Sequence, residues 1–187
     1  MLTVILTGGA SRRMGRDKAM LPYAGTTMLQ SLIDKYAALG RVAVSVNRSG
    51  RFAFTGALEL PDRFPDLGPL NGVVSAFEAT DAEEIFLTAT DLPQGDPALA
   101  LRLAALRGGA DACLLRRGVK GTEPLFAIYA RPCLDYACQA LEQGRQSFMQ
   151  MLRPANVRYV LPEEVSEFDL EHILLNVNTA PEYESLF

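Results

Sequence analysis

An apolar run, Leu2 to Leu6, passes straight into a loop that concentrates glycine and positive charge: Leu6-Thr7-Gly8-Gly9-Ala10-Ser11-Arg12-Arg13-Met14-Gly15-Arg16-Asp17-Lys18. The run reads as a first β-strand, and the loop constrains the fold more than any other stretch. Glycines have no Cβ, so their backbone N–H groups can close on an anion. Arg12, Arg13, Arg16 and Lys18 bring positive charge to the same place. At the carboxyl end of a strand, such a loop suits a nucleoside triphosphate. The plainer reading is a solvated basic loop between a strand and a helix.

Two common glycine motifs fail against this loop. A P-loop needs Gly-x4-Gly-Lys-Ser/Thr, whereas five residues separate Gly9 from Gly15 and Arg16 follows. The dinucleotide fingerprint needs Gly-x-Gly-x-x-Gly, whereas Gly8 and Gly9 are adjacent.

The rest of the chain alternates strand-like and helix-like stretches. Ile85–Thr90 is apolar without polar alternation until threonine, as suits a strand covered on both faces. Further strands are expected at Arg41–Val46, Ala57–Leu60, Ala110–Leu115, Pro124–Tyr129, Val157–Leu161 and Ile173–Val177. Helices are expected at Thr26–Leu39, from Pro69, at Pro97–Arg107, Pro132–Gln143, Ser147–Leu152 and Pro181–Phe187. The alternation predicts a three-layer α/β/α fold around a mainly parallel sheet, with residues 1–187 as a single domain.

Composition narrows the function. A net charge of -4 argues against nucleic acid or an anionic membrane as partner, so the local basic loop points to a small anionic ligand. Cys113, Cys133 and Cys138 form no Cys-x-x-Cys pair and read as reduced thiols. The lone histidine, His172, stands beside no nucleophile motif and reads as a surface or strand-edge residue. No run approaches the ~20 apolar residues of a membrane span, and no basic n-region precedes the first apolar run, so a cytoplasmic protein is expected.

Outside the first loop, Asp91 directly follows the buried-looking strand, where ligands of open α/β sheets collect. A carboxylate there can share Mg²⁺ with phosphate oxygens; the alternative is a turn or capping aspartate. Asp62 follows another strand. The stretch Asp66-Leu67-Gly68-Pro69-Leu70-Asn71-Gly72 either positions a ligand through backbone groups or makes a tight loop. Ser45 and Asn47 end the second strand, and Asn176 and Asn178 would point the same way on a strand. Arg116, Arg117 and Lys120 form a basic hairpin, either solvated or facing an anionic second substrate, with Glu123 just beyond.

The first loop resembles the signature of nucleotidyltransferases related to molybdenum cofactor guanylyltransferase (MobA-type), which reads Leu-Ala-Gly-Gly-x-Ser-x-Arg-Met-Gly-x-Asp-Lys. Thr7 stands where Ala is usual. The likeness extends over nearly the whole chain. Gly68-Pro69-Leu70-x-Gly72 is similar to the family's Gly-Pro-Leu-x-Gly segment. Thr90-Asp91-Leu92-Pro93 resembles its Cys-Asp-x-Pro turn, Glu123 to Tyr129 its substrate-side strand, and Asn176-Val177-Asn178-Thr179 its closing motif.

The resemblance implies a Rossmann-like nucleotidyltransferase fold and transfer of GMP from GTP to molybdopterin, with Mg²⁺ as cofactor and pyrophosphate released. It implies catalytic roles for Arg13, Lys18 and Asp91. Leu6, Thr7, Gly8, Gly9, Lys18, Ser45, Asn47, Asp62, Gly68 and Asp91 would bind the nucleotide. Asp91 and Asn178 would hold metal, and Arg117, Lys120, Glu123 and Asn176 would face the acceptor. Implied partners are GTP, the molybdenum cofactor and proteins that mature molybdoenzymes. Ser45 stands where the family carries the first Asn of Asn-x-Asn, while Asn47 is retained. Adjacent Gly8-Gly9 favours the guanylyl branch. Two rivals stand beside this reading: a sibling transferase that uses CTP or a sugar-phosphate acceptor, and a non-catalytic nucleotide-binding partner in cofactor delivery.

Overall fold

The computed structural model describes residues 1–7, 17–64, 67–118 and 121–187. Its strands are β1 (Leu2–Leu6), β2 (Pro22–Tyr23), β3 (Thr26–Thr27), β4 (Val42–Val46), β5 (Leu58–Pro61), β6 (Glu84–Ala89), β7 (Ala112–Arg117), β8 (Gly121–Ala130) and β9 (Val157–Val160). Helices α1 (Met28–Tyr36), α2 (Leu70–Ala79), α3 (Pro97–Arg107), α4 (Cys133–Glu142), α5 (Phe148–Met151), α6 (Leu170–Ile173) and α7 (Ala180–Glu184) intervene. β2 and β3 form a short antiparallel hairpin. The other strands make one sheet in the order β5-β4-β1-β6-β8-β7-β9.

β1 pairs in parallel with both β4 and β6, and β4 with β5. Only β8 runs against its neighbours, β6 and β7. The sheet is therefore mainly parallel, as the sequence predicts.

Successive residues of each central strand point to opposite faces, and both faces are apolar. Val4, Ile85, Leu87, Ala112 and Tyr129 join one core with α2, α4 and α5. Ile5, Phe86, Cys113, Phe126 and Ile128 join the other with α1 and α3. This two-sided burial explains why β6 reads as an unbroken apolar run. Gly72 lets α2 lie directly on β1, because a Cβ there would collide with the Leu6 side chain.

Local chemistry sets the element ends. Thr27 caps α1 by accepting the Gln30 N–H at 3.2 Å, so the helix begins after the predicted Thr26, and Thr26–Thr27 pairs in the hairpin instead. Asp96 caps α3, with Pro97 at its first turn. The predicted strand at Ile173–Val177 is not formed. Asp169 accepts the His172 N–H at 3.1 Å and starts the short helix α6, and residues 174–177 follow it without strand pairing. Ile173, Leu174 and Val177 are buried all the same, so burial produced the apolar run without a strand. His172 is exposed on that helix, a surface residue as expected but not on a strand edge. β7 and β8 also run further toward their connection than predicted, taking in Arg116, Arg117, Gly121 and Thr122.

Candidate active site

The site lies where β1, β4, β5 and β6 end. Of the residues predicted for it, Gly8, Gly9, Arg12, Arg13, Arg16, Asp66 and Lys120 lie outside the described residues. The remainder form two groups.

The first group sits over β1, β4 and β5. The Leu6 carbonyl accepts the Thr90 N–H at 3.0 Å, which joins the ends of β1 and β6. Thr7 Oγ1 donates to the Ser45 carbonyl at 2.6 Å. Ser45 Oγ donates to Asp62 Oδ1 at 3.2 Å, and the Asp62 N–H donates to the Val46 carbonyl at 2.8 Å. Thr7, Ser45 and Asp62 are therefore one connected set. Asn47 is exposed and accepts from Arg51 at 3.4 Å rather than joining them. Gly68 has φ +78, a left-handed conformation that glycine tolerates, and leads through Pro69 into α2. Asn71 closes that loop on itself: its side chain donates to the Phe64 carbonyl at 2.6 Å and accepts the Phe64 N–H at 2.9 Å.

The second group sits over β6 and β8. Lys18 Nζ donates to Asn178 Oδ1 at 3.2 Å across the length of the chain. Burial lowers the Lys18 pKa, while the Asp91 and Glu182 carboxylates oppose that shift and support the charged form. Burial raises the Asp91 pKa, with Lys18 acting against it. Asp91 Oδ1 is buried without a hydrogen-bond partner among the described residues.

Val177 donates its N–H to the Asp91 carbonyl at 2.9 Å, which fixes the Asn176–Asn178 segment beside the turn. Asn178 is brought to Lys18 by that bond and not by strand alternation, so the expectation that Asn176 and Asn178 share a strand face fails with the strand. Glu182 accepts the N–H groups of Asn178 and Thr179 at 2.6 and 2.9 Å.

Glu123 is only 7% exposed. Burial raises its pKa, Arg117 opposes the shift, and the Asp91 charge adds to it. Arg117 donates to Glu123 at 3.1 Å, and Glu123 also accepts the Leu125 N–H at 3.2 Å. Here the β7–β8 ladder shifts: Leu114 pairs with Ala127 but Leu115 with Glu123, so Pro124, Leu125 and Phe126 bulge from it. Tyr129 Oη donates to the Pro124 carbonyl at 2.8 Å and ties the bulge down. The predicted acceptor-side hairpin is thus anchored at its base by an ion pair.

Three supporting residues escaped sequence reasoning. Lys35 Nζ, on α1, donates to the Pro93 carbonyl at 2.6 Å and holds the Asp91 turn. Arg51 pairs with Asp17 at 2.7 Å, and Asp17 also caps the turn that carries Lys18. Neither link has a sequence signature. Glu182 does have one, because Thr179-x-x-Glu182 is a capping box.

Cys113 and Cys133 are buried, with thiols pushed up to about 11 and about 12, so neither is a ready nucleophile. Among the described residues, no three His, Cys, Asp or Glu side chains gather to hold a metal alone. Asp91 nonetheless fits Mg²⁺, which is satisfied by one or two carboxylates plus phosphate and water oxygens. Its orphaned Oδ1 leaves an acceptor for such a cation. No helix among the described residues is long and apolar enough to cross a membrane.

A family model described as a MobA-like NTP transferase domain matches residues 3–158. A protein of Carboxydothermus hydrogenoformans named probable molybdenum cofactor guanylyltransferase is 31% identical, over 99% of this chain and 94% of its own. Molybdopterin-guanine dinucleotide biosynthesis protein A from Archaeoglobus fulgidus has the same fold, with a TM-score of 0.85 at 24% identity, over 99% of this chain and 96% of its own. Rv0371C from Mycobacterium tuberculosis, solved in complex with manganese, aligns with a TM-score of 0.67 at 20% identity, over 99% and 96%.

Proposed function

The chain belongs to the MobA-like NTP transferase domain family, a nucleotidyltransferase family, and we propose that it transfers GMP from GTP to the terminal phosphate of molybdopterin. An oxygen of the acceptor phosphate bonds to the α-phosphorus of GTP. The bond from that phosphorus to the bridging oxygen breaks, and pyrophosphate leaves with the electron pair. No protein nucleophile is required, in keeping with the raised thiols of Cys113 and Cys133.

The protein's part is positioning and charge neutralisation. Lys18 places an ammonium beside the phosphates, oriented by Asn178. Arg13 meets the departing pyrophosphate. Leu6, Thr7, Gly8, Gly9 and Gly68 line the nucleotide, and Asp62 accepts hydrogen bonds from its ribose or base. Arg117, Lys120, Glu123 and Asn176 face the acceptor. Asp91 and Asn178 would hold Mg²⁺, which would further neutralise phosphate charge.

The observation that carries this reading is the meeting of Lys18 and Asn178 beside Asp91, whose buried Oδ1 has no hydrogen-bond partner among the described residues. The test is pyrophosphate release with Mg²⁺ and each nucleoside triphosphate, with and without molybdopterin. Release that needs both GTP and molybdopterin is expected. Release with CTP assigns the protein to the sibling activity, which Ser45 in place of Asn keeps in view. Nucleotide binding without any release assigns it to the non-catalytic role.

A further inference from the structure

The chain departs from the family pattern at Thr7, Ser45 and Thr90, and the first two of these residues touch. Thr7 Oγ1 reaches the Ser45 carbonyl at 2.6 Å, a bond that alanine at position 7 could not make. Ser45 Oγ in turn donates to Asp62 Oδ1 at 3.2 Å. The three residues sit at the carboxyl ends of β1, β4 and β5, adjacent strands, so the bonds run across the rim of the sheet. Thr7 and Ser45 are 5% and 6% exposed, which shields the bond between them from competing water, while the bond to the half-buried Asp62 is partly shielded. A serine hydroxyl is short, and this one is directed to Asp62.

We propose that Ser45 is a positioning residue for nucleotide selection: it holds the Asp62 carboxylate in place to accept N–H or O–H donors of the nucleoside, and Thr7 holds Ser45. This inference rests on the nucleotide-binding reading above. A fixed carboxylate discriminates better than a mobile one, because the ligand does not have to order it on binding. Guanine offers its N1–H and 2-amino group, and ribose offers its hydroxyls. The departures at 7 and 45 act together: the shorter side chain at 45 works through Asp62, and the hydroxyl at 7 steadies the strand end that carries it.

The test is calorimetric titration of the full chain with GTP and Mg²⁺, alongside thermal melts of each variant. Ser45→Ala is expected to weaken binding about tenfold, the loss of one hydrogen bond to a charged group. Ser45→Thr, which keeps the hydroxyl, restores most of that loss, and Thr7→Ala weakens binding by a smaller factor. In an Asp62→Asn background, Ser45→Ala adds little, because the effect passes through Asp62. The Ser45→Ala loss shrinks for whichever analogue lacks the donor that meets Asp62, inosine triphosphate for the 2-amino group or 2′-deoxyguanosine triphosphate for the hydroxyl. Equal losses with and without Asp62, or wild-type affinity in Ser45→Ala while Asp62→Asn binds weakly, overturn the inference alone. Failure of the wild-type protein to bind any nucleoside triphosphate overturns the functional reading and this inference with it.

Discussion

The carboxyl rim of the sheet treats its polar groups differently on its two sides. Over β1, β4 and β5, Thr7, Ser45 and Asp62 are joined by hydroxyl hydrogen bonds. Over β6 and β8, Asp91 and Glu123 are carboxylates whose pKa burial raises, and Asp91 Oδ1 has no hydrogen-bond partner among the described residues. The first side is arranged for a fixed shape. The second holds charge where charge is costly, as reactive centres do. On the proposed function, recognition and chemistry share one sheet but differ in how their polar groups are held, and that contrast can be tested by substitution.

The largest effect is expected on the charged side. Asp91→Asn should lower the rate of pyrophosphate release by about 10²–10³-fold, or roughly 3–4 kcal/mol of transition-state stabilisation. In the absence of ligand, Tm should hold or rise, because a desolvated charge has been removed. A clear fall in Tm would erase the contrast. Lys18→Ala should lower the rate by about 10²-fold with GTP and Mg²⁺ saturating, and a preserved rate removes Lys18 from the mechanism.

Where α2 packs on β1, a substitution should instead appear as lost stability. Gly72→Ala forces a methyl against Leu6. It should cost about 2 kcal/mol and lower Tm by roughly 4–8 °C, read by calorimetry.

The pH dependence sharpens the comparison. The folded pKa of Asp91 and of Glu123 is raised, so between the unfolded and folded values the native state holds more protons than the unfolded chain. The contribution of these groups to stability is therefore greatest at acid pH and falls as pH rises through the folded pKa. Glu123→Gln should match or exceed wild-type stability at neutral pH by an amount of order 1 kcal/mol, and the difference should vanish on acidification. The smallest effect is expected for Glu182→Ala, which loses the cap on α7 and costs about 1 kcal/mol by thermal melt.

Much of this arrangement is legible in the chain. Pro97–Arg107 is found as predicted because Asp96, Pro97 and Gly108 mark both ends. Leu2–Leu6 and Ile85–Thr90 are legible because two-sided burial leaves short, mostly apolar runs, and Asp91 is legible because it stands at the end of the second. Ile173–Val177 misleads because a short apolar run has no period, and the capping bond of Asp169 decided the outcome. The links Lys35–Pro93 and Arg51–Asp17 join residues distant in sequence, and a charged side chain on a helix or loop gives no sign of the carbonyl or carboxylate it will meet. Glu123 stands just beyond the basic hairpin in the sequence, and its burial is not legible there because it depends on a bulge that no residue pattern marks.

That bulge also bears on how the protein can be altered. Pro124, Leu125 and Phe126 separate two registers of the β7–β8 ladder, one pinned inward from Leu114 and Ala127, the other running outward from Leu115 and Glu123. Phe126 packs against Phe86 in the core, with ring centroids 4.8 Å apart. The bulge thus separates the outer hairpin from the inner ladder, and a change in the hairpin's length is expected to leave the strand that ends at Asp91 in place. On the proposed function, a fold divided in this way could change the acceptor it receives while keeping the nucleotide it uses.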